Sequence, residues 1–145
     1  MPSPLGWPCR HLITFPAARA VSFATASDGW VACSGVLSAG SGAKAIVRTA
    51  DGGGRWTTVA PVDPFRSSGP PNVGAIPEDD YISGVAMASA TAGFAWEARG
   101  GLLRTSDRGP WRALPLADLA LASVYAGAAL DYRSYLAVGP ARRSG

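Results

Sequence analysis

Few residues in this 145-residue chain have the type and spacing for chemistry. Only two glutamates occur, Glu78 and Glu97. Glu97 shares a strand face with Arg99 by parity, and Tyr81 stands just beyond the acidic run Glu78-Asp79-Asp80. A carboxylate and a phenol can serve as nucleophile, acid or base. The competing reading is a solvated surface loop and a strand-face ion pair. The other acids of interest are Asp51 and Asp107, each ahead of a glycine and a tryptophan, in Thr49-Ala50-Asp51-Gly52-Gly53-Gly54-Arg55-Trp56 and Thr105-Ser106-Asp107-Arg108-Gly109-Pro110-Trp111.

Most other chemistry is excluded. His11 is the sole histidine, so no Ser-His-Asp or Cys-His arrangement is recognisable. No CxxC pair exists and Glu78-Asp79-Asp80 lacks the alternating spacing of a calcium loop, so no metal site is expected. No GxxxxGKS/T phosphate loop is present, and no cofactor is implied. Cys9 and Cys33, 24 residues apart, are either one disulfide of an exported protein or two buried thiols. Twelve of the thirteen basic residues are arginine and Lys44 is the only lysine. They are scattered singly apart from Arg142-Arg143, whereas a nucleic-acid footprint needs a clustered basic face.

The two Asp-containing stretches read as hairpin tips. Each Asp can bond its own turn backbone, the glycines accept positive φ, and the Trp opens the next strand with area to bury. A hydrophobic fraction of 48%, a mean hydropathy of +0.13, and 18 Gly with 12 Pro spread along the chain fit many short strands and turns. Val21-Ser22-Phe23, Trp30 to Cys33, Ala45 to Arg48 and Trp56 to Val59 are four antiparallel strands, with Ser34 to Ala43 read as a Gly/Ser/Ala loop. The pattern then recurs. Val85-Ala86-Met87 matches Val21-Ser22-Phe23, Gly93-Phe94-Ala95 matches Gly29-Trp30-Val31, and Leu102 to Thr105 matches Ile46 to Thr49. Phe23 to Gly29 and Met87 to Gly93 are both six residues, a strong sign of repetition.

Five segments result: an irregular lead-in 1–20, a first unit 21–60, an irregular connection 61–82, a second unit 83–116, and a partial third unit 120–145. Within the last, 116–130 is open between an Ala/Leu-rich helix and strand. The longest apolar run, Leu119 to Leu130, is too short to span a bilayer. No signal peptide is visible, since Met1 to Gly6 lacks a basic region and Leu12 to Phe15 is too short for an apolar core. The chain is then cytoplasmic or starts downstream of an export signal.

The complete tip resembles the Asp-box, Ser/Thr-x-Asp-x-Gly-x-x-Trp, of bacterial neuraminidase (BNR) repeats, carried by Thr49, Asp51, Gly53 and Trp56. Thr105, Asp107, Gly109 and Trp111 fit it one residue short. The flanking Phe23…Gly29-Trp30 and Met87…Gly93-Phe94 are similar to units of sialidase-like propellers and of the photosystem II stability and assembly factor family. The resemblance implies an all-β fold: a partial β-propeller with two four-stranded antiparallel blades plus part of a third. It places the boxes on the periphery as structural elements. Closed propellers need at least four blades of about forty residues, so a fragment, or assembly with other copies or a partner, is expected. The resemblance also implies an extracytoplasmic, secreted or cell-surface protein, which favours the Cys9–Cys33 bridge. The functional expectation is a non-catalytic recognition or scaffold module of an exported bacterial protein, with a protein or glycan partner. Trp7 and Trp96, which have no equivalent in the repeat, are candidates for its binding face. The alternative is part of a sialidase-like glycoside hydrolase of the exo-alpha-sialidase type, with Glu97 and Tyr81 as its catalytic candidates; no Arg-Ile-Pro motif accompanies them. A further alternative is an assembly factor resembling the photosystem family.

Overall fold

The structure, a computed structural model, describes residues 8–9, 17–38, 41–62, 81–98, 101–106, 110–114, 126–129 and 135–138. All regular elements among them are strands. β1 (Ala17–Phe23), β2 (Gly29–Ser38), β3 (Ser41–Thr49) and β4 (Thr57–Val62) form one antiparallel sheet in chain order. β5 (Ile82–Met87), β6 (Gly93–Glu97), β7 (Leu102–Thr105) and β8 (Arg112–Leu114) form a second sheet of the same order. β9 (Ala126–Ala129) and β10 (Tyr135–Val138) pair antiparallel as a third.

The repeat is visible in the register. Phe23 pairs with Gly29 and Gly29 with Thr49; Met87 pairs with Gly93 and Gly93 with Thr105. Both first turns are closed alike. The Ala24 amide donates to the Asp28 carbonyl at 3.0 Å, and the Ala88 amide to the Ala92 carbonyl at 2.9 Å. A hydroxyl one residue into each turn accepts the later amides, Thr25 from Asp28 and Ser89 from Ala92. Ser, Thr and Asp satisfy turn backbone in this way, so the turn is encoded locally.

Two expectations change, and one left open is answered in part. The first strand starts at Ala17, inside the 1–20 segment read as irregular, because Ala18 and Ala20 find ladder partners in Cys33 and Ala32 despite their low β propensity. β2 and β3 run into the Gly/Ser/Ala tract read as a loop, reaching Ser38 and resuming at Ser41, with a register shift between Ser34 and Leu37. Small side chains weaken a strand but leave its amides and carbonyls able to pair. Residues 126–129 are strand, while the remainder of 116–130 and the acidic run at 78–80 lie outside the described residues.

The sheets meet along their first strands. β1 and β2 lie against β5, and β9 lies against β5 and β6. The core is the layer between the first two sheets. Trp30, Ala32 and Ile46 of the first pack on Val85, Met87, Ala95 and Leu103 of the second. A second cluster, Cys9, Val31, Cys33, Ala45 and Val47 with Trp56, lies on the opposite face of the first sheet. On the far side of the second sheet the Trp96 ring lies directly over Gly84, where an added Cβ would collide with it. Gly84→Ala is expected to lower stability by about 1–3 kcal/mol through overpacking, read from chemical denaturation midpoints.

Candidate functional site

The tip between β3 and β4 is held by its own side chains. The Thr49 hydroxyl donates to Asp51 Oδ1 at 2.8 Å and accepts from the Gly53 amide at 2.9 Å. Asp51 Oδ1 also accepts from the Arg55 amide at 2.8 Å. Gly52 and Gly53 have φ of 73° and 101°, a region that other residues enter at a cost. The Gly52 amide donates to the Ser27 carbonyl at 2.9 Å, tying the tip to the first turn. Asp51 is thus employed in the turn. In the second tip Thr105 and Trp111 are buried, while Asp107 and Gly109 lie outside the described residues.

The Arg55 amide and then the Thr49 hydroxyl hold the Asp51 carboxyl below its usual 3.8. Asp28 is lowered in the same direction, first by Arg48 and then by Thr25. As pH falls, the unfolded chain takes up these protons before the folded one, so acid favours unfolding. Stability from both groups is present above pH about 4 and is lost as pH drops through the lowered folded values. Asp51→Asn is expected to lower the melting temperature at pH 7 and to flatten the acid limb of a melting-versus-pH profile.

Behind the tip, Arg48 lies over the Trp30 ring, 5.4 Å from its centroid, and pairs with Asp28 at 3.0 Å. The second unit repeats the stack, with Arg104 6.0 Å from the Phe94 ring. A groove of about 100 Å³ opens between the first two sheets, lined by Trp30, Arg48, Val59, Thr91, Thr105 and Trp111. Arg48 and Val59 also line a shallower hollow of about 310 Å³ that runs out along Asp51 and Arg55. The two together are lined by the Arg48 and Arg55 guanidiniums, four threonines and the exposed Val59, a mixture suited to holding a ligand with both polar and apolar groups.

Glu97 lies elsewhere. Its carboxylate is buried and accepts from Lys44 Nζ at 2.7 Å, joining β6 of the second sheet to β3 of the first. Residues Gly29 to Cys33 and Gly93 to Glu97 are equivalent in the repeat, so Glu97 stands where the first unit has Cys33. Cys33 is disulfide-bonded to Cys9, with Cα atoms 5.5 Å apart. The same position therefore fastens each sheet to what precedes it, by an ion pair in one unit and a covalent bond in the other. Tyr81 is half-buried and its carbonyl accepts from the Ala98 amide at 2.7 Å, next to Glu97 in the β5–β6 ladder. Trp96 is half-buried on Gly84, and Arg99 and Trp7 lie outside the described residues.

Sequence reasoning passed over Arg48, Asp28, Trp30 and Lys44. The signals were present: an Arg-Thr pair precedes both tips, and Lys44 is the only lysine in the chain. No group of three or more His, Cys, Asp or Glu able to hold a metal occurs among the described residues. None of the described residues forms a helix long and apolar enough to cross a membrane.

No protein-family model and no curated protein matches the chain. A solved structure of YCF48 bound to D1 peptide is similar over 88% of this chain, with a TM-score of 0.57 and 21% identity. The chain spans 35% of that protein's length. At this identity the likeness speaks for the fold. That protein is a β-propeller, and the present chain is an all-β partial propeller whose sheets are its blades.

Proposed function

We propose that the chain is a non-catalytic recognition module that binds a polypeptide partner, using the groove between its first two blades. The observation that carries this reading is the groove between the blades, rimmed by Arg48, Val59 and Thr91 and floored by the buried Trp30, Thr105 and Trp111, in a chain whose described carboxylates are all engaged in the fold. Asp51 closes a turn, Asp28 anchors Arg48 and Glu97 is ion-paired between blades. The similar structure, YCF48, was solved with a D1 peptide bound, which supports a peptide rather than a glycan as the ligand. We place the protein in an oxidising, extracytoplasmic compartment of a bacterium; the buried Cys9–Cys33 bridge supports this, because such bonds persist there.

A peptide array probed with the labelled chain tests the proposal. Thr91→Trp fills the groove from the β5–β6 turn and keeps the backbone amide that donates to the Ser89 hydroxyl. Retention of a subset of peptides, weakened about tenfold or more by Thr91→Trp, is expected, since tenfold corresponds to losing only about 1.4 kcal/mol. Failure to retain any peptide, or retention indifferent to Thr91→Trp, would overturn the proposal.

A further inference from the structure

Val21 and Phe23 on β1 are 62% and 46% exposed, although both are large and apolar. Their equivalents in the second blade, Val85 and Met87, are 4% and 8% exposed because the first blade covers them. The two blades therefore present the same face, and only the second has its cover. Cys9 packs over the Val31, Cys33, Ala45 and Val47 part of the first blade's face, which leaves the β1 part open. The missing cover is a blade lying on β1 as the first blade lies on β5.

We propose that a second copy of this chain supplies it. The faces are used in one direction along the chain, each blade covering the next. A third sheet follows the second blade, with β9 against β5 and β6, so the third sheet of a copy is the element able to reach β1. The described residues form three sheets, so two copies bring six together, within the range of roughly four to eight blades at which propellers close. A two-fold axis along the propeller axis makes both new contacts at once, the commonest symmetry for an oligomer. Closure also takes the exposed apolar area of Val21 and Phe23 out of water.

The test is the mass of the full chain by light scattering from low to hundreds of micromolar, against a single-chain mass of 14.8 kDa. A doubled mass is expected, falling to the single-chain value on dilution as mass action requires. Val21→Asp should abolish the doubling while circular dichroism is unchanged, because Val21 is exposed in the single chain. Ala113→Asp, at an exposed residue of β8 away from β1, should leave the doubling in place. A single-chain mass at every concentration, or a doubled mass that survives Val21→Asp, would overturn the proposal.

Discussion

Glu97→Ala is expected to destabilise the protein by about 3–5 kcal/mol, because it removes the carboxylate paired with the buried Lys44 ammonium between the two blades. Lys44 is 0% exposed and its Nζ lies 2.7 Å from Glu97 Oε1, so the pair is well made and out of water. A buried ammonium deprived of this carboxylate must draw in water or force the blades apart. Lys44→Ala should cost a similar amount by leaving the carboxylate behind. The pair itself need not be stabilising, since desolvating two charges cancels much of their attraction. Lys44→Met combined with Glu97→Leu is therefore expected to be near neutral, or more stable by a few kcal/mol. Urea denaturation of Lys44→Ala, Glu97→Ala and the double alanine variant gives the coupling directly. Single variants as stable as the parent would show that the two blades are not fastened at this point.

Replacing both Cys9 and Cys33 by serine should cost about 3 kcal/mol, the loop-closure value for a bridge spanning some twenty-odd residues. Both residues are buried, with 1% and 0% exposure, in the cluster with Val31, Ala45 and Val47. Loss of the bridge frees the lead-in from the first blade and uncovers apolar area on its outer face. A thiol reductant should lower the denaturation midpoint of the parent to that of the double serine variant and leave the variant unmoved. Equal midpoints for the parent with and without reductant would contradict the structural weight given to this bridge.

What could be read from the sequence was local. The spacing from Phe23 to Gly29 and from Met87 to Gly93, and the Thr49-to-Trp56 tip, are short-range patterns in which turn chemistry fixes the backbone. They led to two four-stranded sheets and to Asp51 as a turn residue rather than an acid catalyst. The Lys44–Glu97 contact joins residues 53 apart in different sheets, and no local pattern encodes it. Glu97 accordingly looked like a candidate for chemistry, because parity places a side chain on a face without telling what lies across from it. The early start of β1 and the long β2–β3 hairpin were hidden for a related reason. Alanine, glycine and serine carry little strand preference of their own, and the neighbouring strand decided the outcome. The groove was obscured because its lining comes from both blades; the repeated Arg-Thr before each tip was its only trace.

Turnover of a fluorogenic sialoside panel by the purified chain tests most directly whether these carboxylates hold the fold or perform chemistry. The account predicts no sugar release above a protein-free control. Release that disappears with Tyr81→Phe or Glu97→Gln, in variants that keep the parent's circular dichroism, would contradict it and return the chain to the glycoside hydrolases.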